Sequence, residues 1–469
     1  MQAPRRAAGS RGRLRFGPST RPGGTIYQKR KPMKAEPIEP KHGGFLSFLE
    51  RTYWTGRQYN AMRMDQPQLR QEQQNRLRNL LTIARTRSPF YRNKFCHLDA
   101  SCVDLAQFPV TTKAEMMANF DQVVTDPAVT RAGVERFIED IRNVQEPFLG
   151  KYCVSHTSGS QGQPALIVQN QLVLDLFFAF QMTRGNPDFR GLKRFTQAAG
   201  NLLRPTRLAV IISQQGFFPS AWVWQRLPGY MRRFMRFLFL PANDPDLVAR
   251  LNDFSPTVLT ATPTTLDLLS LKTGQLRFPR LRQVVTWSET LTEPARRRIG
   301  GAFGVPVMDN YAMGECMFLT NGCPATTGAH VNADWVILEV VDEQNQPVPP
   351  GQLGHKILMT NLANTVQPFI RYEIGDRLVM ATEPCGSAAI TCPALKSSWD
   401  GRPMSSGCAP PPASAPSPPT PSSTPSITCA MCGNGRRSRW NAIASSSVWS
   451  PPRARRLTSR PPGAVSMSA

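Results

Sequence analysis

Between Lys151 and Asp376, short apolar runs alternate with stretches of helical spacing, and this rhythm limits the fold more than any other feature of the chain. The runs Ala165–Val168, Leu208–Ile212, Thr257–Ala261, Gln283–Trp287, Val336–Val341 and His355–Thr360 have strand length and β-branched content. Residues Gln171–Thr183, Asp244–Asp253, Thr264–Leu271 and Glu293–Phe303 read as helices. Alternation of this kind predicts an α/β fold. The polar, turn-rich stretch Asp342–Gly354 predicts a long hairpin connection between two strands. Upstream, helical character starts near Phe45. Leu77, Leu80, Leu81 and Ala84 form an apolar stripe at i, i+3, i+4, i+7, and Ser88-Pro89 ends that helix.

The formal net charge of +24 invites a nucleic-acid reading, but the charge is unevenly placed. Met1–Lys34 holds ten Lys/Arg and no Asp/Glu, and Ser387–Ala469 holds nine against Asp400 alone, which leaves +6 on the 352 residues between. A mildly basic body argues against nucleic acid as the main partner. The Gly/Pro/Arg-rich residues 1–43 read as a disordered leader, either an organellar transit peptide or, the preferred reading, the result of a start codon placed too early, with Met33 as the natural start. The sequence has no run of 18 apolar residues, so no membrane span is expected, and Phe234–Leu240 is far too short to be one. Ten Cys without a paired framework fit reduced, cytoplasmic thiols.

Three local motifs carry chemistry. Thr157-Ser158-Gly159-Ser160-Gln161-Gly162-Gln163-Pro164 puts hydroxyls and glycines together just before a strand. Glycines let several N–H groups converge on a phosphate, and hydroxyls add donors. The G-K-[ST] ending of a Walker A loop is missing, and an ordinary flexible turn has the same composition. Tyr311-Ala312-Met313-Gly314-Glu315 offers a ring to stack on a purine and a carboxylate to hold Mg²⁺. An aromatic and a glutamate after a strand are also common without function. Arg371-Tyr372-Glu373-Ile374-Gly375-Asp376 ends in an Asp that can accept from ribose hydroxyls or simply cap its own turn.

Taken in this order, the three motifs resemble those of the adenylate-forming (AMP-binding) superfamily. The phenylacetate–CoA ligase branch looks closest, on Leu80–Phe95, Phe108–Phe120 with its Pro-x-Thr-x-Lys element, Gly328–Asp342 and Gln367–Asp376. The resemblance spans about Phe45 to Gly386. It implies the large, multi-layer N-terminal domain of these enzymes over residues 44–376, with 377–387 as a hinge remnant. It implies ATP, Mg²⁺ and CoA as cofactors, with a small carboxylic acid, aryl or arylacetic by family default, as substrate. A homodimer is compatible with it. Thr157, Ser158, Gly159, Ser160 and Gly162 would hold the ATP phosphates, with Thr157 and Glu315 catalytic. Glu315 would bind Mg²⁺, Tyr311 adenine and Asp376 ribose. Ser288 and Glu289 fall in the block beside adenine, where Trp287 is a departure that would narrow the pocket. Gln163 stands where many members have Lys. Phe217, Phe218, Trp222 and Trp224 could line an acid pocket or belong to the core.

Cys316, Cys323 and His330, evenly spaced, are candidate Zn²⁺ ligands, with Cys153 and His156 as sources of a fourth. Buried thiols are the alternative. Cys429-x-x-Cys432 lies in the tail and is read as chance. Beyond Gly386 the composition turns abruptly to Pro, Ser and Arg, and residues 388–469 read as a disordered tail in place of the family's small lid domain. Shifted by one base, the codons of Thr391–Gly407 admit L-P-R-V-E-I-V-V-G-R-P-A-D-E-L-W-V, which resembles the family's next blocks. A frame slip near Gly386 is therefore a hypothesis, and resequencing that finds no such string removes it. The expectation that follows is impaired adenylation, because the lid brings a lysine and excludes water.

Overall fold

The computed structural model describes residues 45–157, 164–185, 204–212, 216–219, 235–323, 328–383, 385 and 394–396. The chain divides into two compact units, Met1–Ala409 and Pro410–Ala469, and every described residue falls in the first.

Helices form the N-terminal part: α1 (Phe45–Ala61), α2 (Gln66–Arg87), α3 (Pro89–Lys94), α4 (Lys113–Ala118), α5 (Phe120–Val123) and α6 (Arg131–Glu139). A capping box starts α2. Gln68 N–H donates to the Asp65 carboxylate (2.9 Å), and the Gln68 side chain accepts from Asp65 N–H (3.2 Å). The predicted stripe of Leu77, Leu80, Leu81 and Ala84 is buried, each leucine worth roughly 2 kcal/mol of transfer free energy. Ser88 ends α2 as expected, and its hydroxyl also caps α3 by accepting from Tyr91 N–H (3.3 Å).

The strands follow: β1 (Cys153–His156) and β2 (Leu166–Gln169) form a hairpin, and α7 (Gln171–Thr183) leaves it. Next come β3 (Thr206–Ile212), β4 (Met235–Pro241), α8 (Leu247–Phe254), β5 (Val258–Ala261), α9 (Pro263–Ser270), β6 (Gln283–Thr286), α10 (Glu293–Phe303) and β7 (Val307–Asp309). These five strands make one parallel sheet in the order β4-β3-β5-β6-β7. Every β3 residue from Leu208 to Ile212 is buried, because both faces are covered. Leu208, Val210 and Ile212 enter the main core with α2, α3 and α7 residues. Ala209 and Ile211 face a second core with Leu251 of α8, Leu266 and Leu269 of α9, and Ala295 and Ile299 of α10. The two-residue period of the strand thus serves both layers.

The remaining strands are β8 (Thr320–Gly322), β9 (Ala329–Val331), β10 (Val336–Val341), β11 (Lys356–Asn361), β12 (Tyr372–Ile374), β13 (Val379–Met380) and β14 (Ala394–Lys396). An antiparallel sheet runs β10-β11-β12, so Asp342–Gly354 is the hairpin connection that its composition predicts. A fourth sheet runs β13-β14-β9-β8. The α/β class holds throughout. Two readings need correction. Within Phe234–Leu240, read only as a run too short for a membrane, starts the parallel strand Met235–Pro241 beside β3. Ala394–Lys396, assigned to the disordered tail, pairs with β9 and β13, and Leu395 is buried against Leu69, Val331 and Ala333. The rest of 388–469 and all of 1–43 lie outside the described residues. Among the described residues, no helix is long and apolar enough to cross a membrane.

Gly322 shows how tightly β8 packs on β7. A Cβ there would meet Asp309 N at 2.7 Å and Asp309 O at 2.8 Å, both backbone atoms that cannot swing away. Gly322→Ala should therefore lower stability by about 2 kcal/mol, read as a shift in the denaturation midpoint. An unchanged midpoint would show that the two strands separate at little cost.

Candidate active site

The hydroxyl- and glycine-rich motif springs from a closed neck. Thr157 N–H donates to Ala165 O (3.0 Å), and Thr157 Oγ1 accepts from Ala165 N–H (2.9 Å). Thr157 and Ala165 thus close the end of the β1–β2 hairpin. Ser158, Gly159, Ser160, Gly162 and Gln163 lie outside the described residues.

The Tyr311–Glu315 segment follows β7 at the C-terminal edge of the parallel sheet, the usual ligand-binding edge of such sheets. Thr320 of β8 grips its start. The Thr320 hydroxyl accepts from Tyr311 N–H and donates to Tyr311 O, both at 2.9 Å. A tight turn follows, with Cys316 N–H donating to Met313 O (3.1 Å). Gln169 of β2 donates to Gly314 O (2.9 Å), and Asn361 of β11 donates to Glu315 O (2.8 Å). Gly314 packs closely here: an added Cβ would lie 2.6 Å from Ile167 Cδ1, which would have to shift, and 3.5 Å from Thr157 Cγ2. The glutamate motif is therefore pressed directly against the hairpin neck.

The third motif closes the group. The Tyr311 hydroxyl donates to Asp376 Oδ2 (2.7 Å), and the Tyr372 hydroxyl donates to Glu315 Oε1 (3.0 Å). Three stretches of the chain, far apart in sequence, thus meet in one constellation of Thr157, Tyr311, Glu315 and Asp376. Burial pushes the Glu315 carboxyl upward, with Lys113 acting in the opposite sense. Burial, then the charge of Asp376, raises the Tyr311 phenol well above its ordinary value. Burial, then Glu315, raises Tyr372.

Lys113 is the residue that motif reading passes over as a site residue. Its Nζ donates to Thr157 Oγ1 (3.4 Å), and its charge acts on Glu315. Its position follows from the adjoining backbone. Thr111 N–H donates to Arg371 O (3.0 Å), and Glu373 N–H donates to Thr111 O (2.9 Å), so the residue just ahead of the α4 cap pairs with β12. The only sequence signal for it is the Pro-x-Thr-x-Lys element.

Ser288 and Glu289 follow β6 on the same sheet edge and are exposed. The Glu289 carboxylate accepts from Thr264 N–H (3.0 Å) at the start of α9, and Ser288 adopts a left-handed backbone (φ 65°). Trp287 packs on the main core rather than standing clear of it. Phe217 is a core residue, and Phe218 lies edge-on to His156 (4.5 Å between centroids). Trp222 and Trp224 lie outside the described residues.

The proposed metal set Cys316, Cys323, His330 does not assemble. Cys316 is fully buried in the main core, where burial raises its thiol and disfavours the thiolate a metal needs. Cys153 is likewise a core residue, and His156 Nδ1 sits 3.1 Å from Thr157 O. Cys323 and His330 do meet, but with Cys385.

Comparison with known proteins adds likenesses of sequence and fold. Residues 151–359 match the family model described as AMP-binding enzyme. This region is similar to AMP-binding enzyme domains. The chain is 27% identical over 146 residues to the phenylacetate-coenzyme A ligase of Thermus thermophilus, a match covering 29% of this chain and 33% of that relative. The similar stretch therefore spans a third of the curated relative's length. Among solved structures, an open conformation of 2-hydroxyisobutyryl-CoA ligase in complex with 2-HIB-AMP and CoA aligns with TM-score 0.50 at 21% identity, over 69% of this chain and 68% of that one. The same enzyme in its thioesterification state aligns with TM-score 0.51 at 21% identity, over 71% and 68%. At these identities the likeness establishes the fold.

Proposed function

We propose that this chain activates a carboxylic acid with ATP, forming an acyl-adenylate and pyrophosphate, and passes the acyl group to the thiol of CoA. The observation that carries the reading is the meeting of Thr157, Glu315, Tyr311 and Asp376, with Lys113 beside them. In the first step a carboxylate oxygen attacks the α-phosphorus of ATP. A new P–O bond forms as the bond to pyrophosphate breaks, and negative charge spreads over the phosphoryl oxygens. The Lys113 ammonium and the Thr157 hydroxyl, 3.4 Å apart, would be the donors to those oxygens. Asp376 would accept from the ribose hydroxyls, and the Tyr311 ring would pack on the adenine. In the second step the thiol sulfur attacks the acyl carbon, AMP leaves, and the thiol proton passes to solvent.

Mg²⁺ fits the residues present. A buried carboxylate and a hydroxyl are hard oxygen donors, and burial that presses Glu315 toward neutrality is countered by a nearby cation. Glu315 would hold the ion, whose charge would offset that of the phosphates.

The substrate class is an aryl or arylacetic acid, in keeping with the likeness to a phenylacetate-coenzyme A ligase. The test is pyrophosphate–ATP exchange across a panel of aryl, arylacetic and short aliphatic acids. Exchange above background with an aryl or arylacetic acid is expected. Nucleotide binding without exchange for any acid would leave a binding protein in place of the enzyme.

A further inference from the structure

We propose that Cys323, His330 and Cys385 form a zinc site that staples the β8–β9 hairpin to the segment following β13. Their donor atoms all lie within 4.8 Å of one another. The two sulfurs are 3.6 Å apart. A disulfide would require about 2.05 Å. Two thiolates on a tetrahedral zinc, with Zn–S about 2.3 Å, stand roughly 3.8 Å apart. The observed spacing is thus that of two ligands around one ion. Two thiolates and an imidazole are soft and borderline donors that favour zinc over the hard cation of the nucleotide site.

The scaffold beneath them is regular. Cys323 N–H donates to Gly328 O (3.2 Å) at the hairpin neck, and His330 lies on β9 opposite Asn321 of β8 and Ala394 of β14. Cys323 and His330 are buried at 3% and 4% exposure, and Cys385 is half-buried. The ligands therefore come from two separate chain segments, one following Glu315 and one following Asp376. Zinc enters as the two thiols lose their protons to solvent, and a fourth donor completes the tetrahedron. The bound ion would hold β8, whose Thr320 carries Tyr311, to the segment beyond Asp376. This site stands or falls without reference to the nucleotide reading.

The test is metal analysis of the full chain, kept reduced, stripped with chelator and titrated with zinc chloride. One zinc per chain and a higher melting temperature on loading are expected. Cobalt in place of zinc should give thiolate-to-metal charge-transfer absorption, which a merely structural cysteine would not. Cys385→Ser is the first variant because Cys385 is the least buried of the three. It should weaken zinc binding on the order of 100-fold and abolish the charge-transfer band or halve it, while Cys102→Ser changes nothing. The proposal fails if the folded, reduced chain takes up no zinc. It fails equally if uptake ignores Cys385→Ser and disappears with Cys432→Ser, or if mass spectrometry finds a Cys323–Cys385 disulfide in the isolated protein.

Discussion

Glu315→Gln should lower acid-dependent pyrophosphate exchange by roughly 100- to 1000-fold, the usual cost of removing one preorganised electrostatic contact from a charged transition state. The substitution isolates charge from structure. A carboxamide oxygen can still accept from the Tyr372 hydroxyl, which now bonds Glu315 Oε1 at 3.0 Å. The Glu315 backbone carbonyl, held by Asn361, is untouched. Burial already disfavours the carboxylate, so a neutral side chain of the same shape costs the fold little. The melting temperature should stay close to that of the parent while exchange collapses and its dependence on Mg²⁺ concentration flattens. Exchange at parental rate and with parental Mg²⁺ dependence would remove Glu315 from the metal site. A variant that melts far lower would show instead that the charge is structural.

Elements that end in local signals were readable to the residue. Helix α7 follows its cap Asn170, whose side chain accepts from Val173 N–H, and α10 runs from the Thr292 cap and Pro294 to the left-handed Gly304. Strand β4 was missed for a different reason. Met235–Pro241 is neither alternating nor rich in β-branched residues, and a short apolar run gives no period to distinguish it. The site followed the same division. Thr157, Tyr311, Glu315 and Asp376 each sit in a motif that composition can flag. Lys113 stands 44 residues before Thr157 in an unremarkable helix start, and only the pairing of Thr111 with Tyr372 delivers it. Even spacing groups Cys316 with Cys323 and His330, but spacing along the chain says nothing about which side of a turn a thiol faces. Its turn points it into the core, and Cys385, 62 residues from Cys323, takes its place in the cluster.

The largest stability loss is expected at Arg184→Met. Arg184 is 1% exposed and donates to Asp334 Oδ1 and Asn332 Oδ1, both at 2.8 Å, while Asp334 is fully buried. The pair joins the end of α7 to the turn after β9, and Asn332 there also bonds Phe318 O (2.6 Å) and Asn321 Oδ1 (2.9 Å). The contact therefore supports the chain just beyond Glu315. Removing one member of a buried pair strands the other charge, at a typical cost of about 3–5 kcal/mol. Two neighbours soften the loss here. Arg76 stands 3.6 Å from Asp334 Oδ2, and Gln58, with its amide set to satisfy both partners, donates to Asp334 Oδ2 (3.0 Å) and accepts from Trp335 Nε1 (3.0 Å). The expected loss is therefore about 3 kcal/mol, measured from denaturant unfolding. Adding Asp334→Asn to Arg184→Met should recover part of that loss, since the stranded charge is then gone. A single variant within about 0.5 kcal/mol of the parent would show that Arg76 and Gln58 alone satisfy Asp334, and a double variant no better than the sum of its parts would show that the two side chains are not coupled.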